Sequence, residues 1–162
     1  MTGTGERWEV AAKVAVLCSI ALAVVASLLA LGVTAAGGFD CRAYPSCLFE
    51  QPSWSVQAHV LVGALLGVVL LVLAVLGFLL RRTHPGFFPA TFASFLLSIV
   101  MGGIGAGLST GALPDAFLLV QSALVVLLLA LLLFAHRKLR RANAPAARAP
   151  DGGVREAAPP VA

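Results

Sequence analysis

Apolar residues run through this chain in blocks of twenty or more, rather than in the alternation of a half-buried strand or the narrow stripe of a surface helix. Four blocks stand out, at 14–36, 56–80, 87–111 and 113–135. Each is long enough for a helix to cross a hydrocarbon core of roughly 30 Å. The only charged or imidazole side chains within them are His59, near the start of the second block, and Asp115, at the very start of the fourth. The pattern predicts an all-α fold, an integral membrane four-helix bundle, with helices at about 10–36, 55–80, 87–111 and 113–136 in a domain spanning 1–138. Residues 37–54 form the long loop, and 139–162, rich in Ala and Pro, are expected to be a disordered tail. Arg7 and Lys13 before the first block and Thr34-Ala35-Ala36 at its end have the flavour of a cleaved signal. The apolar core of a signal peptide runs only about 7–15 residues, however, so this block reads as a retained anchor.

Composition narrows the class. Of 162 residues 60% are hydrophobic and 11% charged, against roughly 25% charged in a soluble domain. A mean hydropathy of +0.99 excludes a water-exposed globule of this size. The net charge of +4 does not make a nucleic-acid binder, because the basic residues are few and sorted by position. Ten of the eleven Lys and Arg residues precede the first block, separate the second from the third, or follow the fourth; Arg42 is the exception. The positive-inside rule therefore predicts cytoplasmic termini, with 37–55 and 111–114 facing outward. The run Arg137 to Arg141 reads first as a stop-transfer signal and second as a contact for anionic headgroups.

The candidate chemistry lies on the outward side. Cys41 and Cys47 bracket Tyr44-Pro45 in the long loop, and an oxidising compartment favours a disulfide between them, as a staple ahead of a redox-active pair. Cys18, mid-helix, reads as a small apolar residue. His59 comes about one and a half turns into the second helix, after Ser53 and Trp54, at a depth where an imidazole is costly and faces the bundle interior. Gly63 and Gly67 follow it at i+4 and i+8, a side-chain-free groove on the same face. Two readings stand for that groove: a close helix contact with His59 hydrogen-bonded across it, or a flat cofactor with His59 as axial ligand to a heme iron. Ser94, Ser98 and Gly102 form a similar stripe on the third helix, with Gly103 and Gly107 beside it. Gln121, seven residues after Pro114, lies at a depth similar to that of His59, so that the two are expected to face one another across the bundle. His84 and His136, beside Arg82 and Arg137, read as interfacial polar residues. The small-residue endings 32–38 and 105–111 hint at a helical hairpin used twice.

These residues resemble the heme A synthases of cytochrome oxidase assembly. The segment Gly32-Val33-Thr34-Ala35-Ala36-Gly37-Gly38-Phe39-Asp40-Cys41-Arg42-Ala43-Tyr44-Pro45-Ser46-Cys47 is similar to that family's first outer loop, and His59 stands where the family places a heme-ligating histidine. Leu113-Pro114 matches the short loop of its later helical pair, and the resemblance covers roughly residues 7–138. It implies a half-size form of a unit usually present twice, and hence a homo-oligomer. It also implies a heme of b or o type held at His59, with Gly63, Gly67 and Gln121 around it, and oxidation of heme o to heme a with Cys41 and Cys47 as the paired cysteines. The implied partners are membrane lipid, a heme o synthase or cytochrome oxidase subunits, and no nucleic acid; the implied location is the plasma membrane of a prokaryote. Three positions depart from the family pattern: Gln121 stands for its second histidine, Val56 for its glutamate and Val60 for its arginine. The departures leave a non-catalytic heme-binding accessory protein, or a cofactor-free structural membrane protein in which His59 and Gln121 bond one another, as alternatives.

Overall fold

The computed structural model describes residues 3–35 and 54–141, and every element in them is helical. Four helices follow in order: α1 (Gly3–Ala35), α2 (Trp54–Leu79), α3 (Phe87–Ser109) and α4 (Phe117–Arg141). Each contains a stretch long and apolar enough to cross a membrane, the shortest having 23 residues, which at 1.5 Å per residue covers about 35 Å. The chain is thus a multi-pass helical membrane protein. Such spans are helical because lipid offers no partner for backbone N–H and C=O groups, and a helix satisfies all of them within one segment. Ser19, Thr91 and Ser94 are completely buried, and each hydroxyl donates to a carbonyl of its own preceding turn at 2.8–2.9 Å.

The helices form a ring. α1 packs on α2, α2 on α3, α3 on α4 and α4 on α1, whereas no Cα atom of α2 lies within 8 Å of one of α4, nor any of α1 of α3. The start of α1, the 80–86 turn and the end of α4 share one end of the bundle, here the terminal end. The end of α1, the start of α2 and the 110–116 turn share the opposite end.

Both ends of the chain path extend the expected helices. α1 begins seven residues before the apolar pattern suggests, and Glu9 on this added stretch pairs with Lys13 one turn later at 2.8 Å. α4 begins at Phe117 instead of about 113, and the reason lies in how α3 ends. Gly111 adopts φ +70°, its N–H donates to Leu108 O at 3.2 Å and that of Ala112 to Gly107 O at 2.9 Å, the pairing of a Schellman stop, which needs a left-handed residue after the cap. Leu113 then folds back onto Gly107, where a methyl group would meet its side chain. Residues 113–116 are spent in the reversal, and α4 runs on to Arg141, five residues beyond the expected end.

Packing is concentrated at the terminal end. Val16, Leu70, Leu73, Phe87, Leu132 and Leu139 are essentially inaccessible there. At the α2–α3 crossing a Cβ on Gly77 would collide with the Thr91 hydroxyl and stand 3.2 Å from Phe88 Cα. Helices that share a lipid solvent are held by such close van der Waals fit rather than by hydrophobic exclusion.

Candidate functional site: an open cleft beside His59

Eighteen residues make five turns of helix, so positions eighteen apart share a face about 27 Å from one another. Ala12, Gly77, Phe87 and Leu139, one on each helix, are all buried at the terminal end. Their counterparts five turns away are Ala30, His59, Gly105 and Gln121, so these four lie on the inward stripes at the opposite end. None of the four is fully buried. The stripes change character along their length: bulky Leu and Phe fill the terminal half, while Ala26, Ala30, Gly63, Ser98, Gly102 and Gly105 supply little or no side chain to the other. A Cβ added at Gly63, Gly67 or Gly102 would meet nothing within 4 Å. Four helices with small residues on their inward stripes leave this end short of side-chain volume, a groove beside His59 called here the cleft.

His59 is held in a defined state on the wall of that cleft. Its Nδ1 lies 3.0 Å from the carbonyl oxygen of Ala26 on α1. A carbonyl only accepts, so Nδ1 carries the proton and donates it, and in the neutral imidazole Nε2 is left with a bare lone pair. Among the described residues no other hydrogen bond to the ring is formed. Ser27, beside Ala26, turns its hydroxyl back to Ala23 O at 2.7 Å and leaves the Ala26 carbonyl to the histidine. Gln121, half-buried, projects from α4 toward α3, its Nε2 3.6 Å from where a Gly105 Cβ would stand. His59 and Gln121 thus face the same cleft from helices that do not touch. The pair sits on a diagonal of the ring that does not close, since no Cα atom of α2 lies within 8 Å of one of α4.

Among the described residues no three His, Cys, Asp or Glu side chains gather as a metal site. Cys18 is a free, exposed thiol on α1, away from the cleft. Cys41 and Cys47, with the disulfide expected between them, lie outside the described residues, as does the 142–162 tail. Residues 36–53 connect α1 to α2 at the end where the cleft opens.

A second polar group lies at the terminal end, packed inside the bundle. His84 is 7% exposed. Thr83 Oγ1 donates its single proton to Leu80 O at 3.1 Å and so accepts from His84 Nδ1 at 2.9 Å. His84 Nε2 is buried without a hydrogen bond, 4.0 Å from the Glu9 carboxylate that pairs with Lys13. His136 Nδ1 is likewise buried and unpaired. The one hint of this cluster along the chain is the i,i+4 spacing of Glu9 and Lys13, which marks them as helical.

Comparison with protein-family models, curated proteins and solved structures finds no match to this chain. Its function is therefore argued from the cleft.

Proposed function

We propose that this protein is a heme-binding membrane protein of heme A synthase type, acting in heme a formation or cytochrome oxidase assembly. One observation carries the reading: a histidine on the inward face of a membrane helix has Nδ1 tied to a backbone carbonyl and Nε2 bare beside a glycine-lined cleft. Metal-ligating histidines show this arrangement, in which the acceptor bonded to the far ring nitrogen sets the tautomer and orients the ring. A site with a single imidazole and no other clustered ligand suits a metal that brings most of its donors with it, as a porphyrin iron does.

The residues present fit that group. His59 would hold the iron through Nε2, Ala26 O would fix the ring, and Gly63 and Gly67 leave space that any side chain would occupy. Gln121 faces the cleft from α4 as a neutral amide able to hydrogen-bond a polar edge. When bound, the heme would supply redox chemistry at iron; what this chain would supply is the imidazole of His59 and an apolar wall. The wall of Ala, Gly and Val at this depth admits a flat apolar body better than a hydrated ion.

The basic terminal end orients the bundle: eight Lys and Arg residues lie there among the described residues against Glu6 and Glu9, and only Asp115 is charged at the other end. The positive-inside rule favours a cytoplasmic position for this end and an outward opening for the His59 cleft; the plasma membrane of a prokaryote is what the resemblance to heme A synthases implies. An accessory, non-catalytic role is favoured by Val56 and Gln121, which offer neither a carboxylate nor a second imidazole.

Absorption spectroscopy of the purified protein tests the proposal. A Soret band lost in His59→Ala supports heme binding, and conversion of supplied heme o to heme a supports the synthase. Bound heme without conversion leaves the accessory protein, and a colourless protein that takes up no heme refutes both.

A further inference from the structure

We propose that the α2–α3 seam at the terminal end binds an anionic phospholipid, its phosphate against Arg81 and Arg82 and its acyl chains along Phe78, Phe88 and Phe92. The inference rests on that seam alone and is independent of what occupies the His59 cleft.

Arg81 and Arg82 follow the last turn of α2 and are exposed. Among the described residues neither forms an ion pair. The guanidinium carbon of Arg81 sits 4.1 Å from the centroid of the Phe78 ring. Among the described residues the Arg81 guanidinium donates no hydrogen bond, so its N–H donors are available to a phosphate, which such donors engage in a bidentate pair. The cation–π contact also restrains a flexible side chain in advance, which lowers the ordering cost of binding.

Below the two arginines the surface is aromatic and continuous. Phe78 meets Phe88 edge to face with centroids 5.7 Å apart, and Phe88 stacks on Phe92, also at 5.7 Å. Phe78 and Phe92 are 47% and 43% exposed. The column crosses from α2 to α3 where Gly77 lets the two backbones approach, so the seam presents rings instead of a gap. Along the chain the cations stand at one end of a lipid-facing aromatic column, as the headgroup and chains of one phospholipid require. Excess positive charge at this end of the bundle favours an anionic headgroup over a zwitterionic one.

The test is native mass spectrometry of the full chain released from detergent, titrated with phosphatidylglycerol or with phosphatidylcholine of the same acyl chains. Phosphatidylglycerol is expected to bind preferentially, and R81Q/R82Q to weaken it about 30-fold, the worth of two cations facing an anionic surface. R137Q/R140Q, on another face of the same end, is expected to change it less than about threefold, the scale of more distant, screened charges. R81K/R82K keeps the charge but loses the bidentate fork, and is expected to retain a preference for phosphatidylglycerol that is weaker than in wild type and stronger than in R81Q/R82Q. Free glycerol phosphate, which lacks chains for the aromatic column, is expected not to compete. Equal retention of the two lipids, an unchanged R81Q/R82Q, or an R81K/R82K that loses as much as R81Q/R82Q would each overturn the proposal.

Discussion

Alanine at Gly77 and alanine at Gly63 are the same chemical change on the same helix, and the structure predicts opposite outcomes. At Gly77 the new methyl would overlap the Thr91 hydroxyl and press on Phe88 Cα at 3.2 Å. Thr91 is held in place by its bond to Phe88 O at 2.9 Å, and the second obstacle is backbone, so α2 and α3 must separate by a few tenths of an ångström. The separation loosens Leu73, Leu76, Phe87 and Ala90, all buried around the crossing. Overpacking of this kind costs about 1–3 kcal/mol, offset by up to ~1 kcal/mol from the better helix propensity of alanine. At Gly63 nothing lies within 4 Å of the added atom, and only the propensity gain remains. The difference between the two variants isolates the packing term at about 1–3 kcal/mol, a factor of roughly 5 to 150 in the folded ratio. Reversible unfolding in mixed micelles titrated with dodecyl sulfate, followed by circular dichroism, measures it. Thr91→Ala added to Gly77→Ala should recover most of the loss, since the hydroxyl is the nearest obstacle. Equal midpoints for Gly77→Ala and Gly63→Ala would refute the tight crossing at one end and the open cleft at the other.

Other outcomes follow from the same contrasts. Leu132→Ala, at a fully buried position, should cost about 2–5 kcal/mol in that assay, whereas Leu119→Ala, 78% exposed, should stay within about 0.5 kcal/mol. His84→Ala removes a buried ring and its bond to Thr83, and a loss of about 1–3 kcal/mol is expected; an unchanged midpoint would show that the ring is not packed as described. Gly63→Leu should leave the fold intact by circular dichroism and lower heme affinity at least about tenfold by filling the cleft, and unchanged affinity would place heme elsewhere. Maleimide labelling of unreduced protein should spare both Cys41 and Cys47 if they are paired, and modification of both would exclude the disulfide.

The membrane fold was legible because it depends on block length and hydropathy, which a chain displays openly; all four spans fall where the apolar blocks lie. The ends of the helices were less so. Gly111 looked like part of a small-residue helix ending, and the fact that it stops α3 in a left-handed turn, delaying α4 to Phe117, depends on backbone conformation that composition does not reveal. The depth and inward face of His59 were readable from helical period, but its partner was not. A bond to the Ala26 carbonyl leaves no trace in side-chain chemistry, since any residue at position 26 offers the same oxygen. For the same reason Gln121 looked like the natural partner of His59: both lie at similar depth, and only the ring order of the helices places them on a diagonal that does not close. The burial of His84 was not legible, because its neighbour Arg82 marks an interface while its surroundings include Glu9 near the start of α1 and Thr83.

Equilibrium heme titration of the purified protein, followed at the Soret band in wild type and His59→Ala, bears most directly on the central claim that Nε2 of His59 is a poised axial ligand. The account predicts saturable binding with a histidine-ligated spectrum in wild type, and loss of that spectrum in His59→Ala while the helical content is unchanged. Superimposable titrations with identical spectra, or no uptake by either protein, would contradict it.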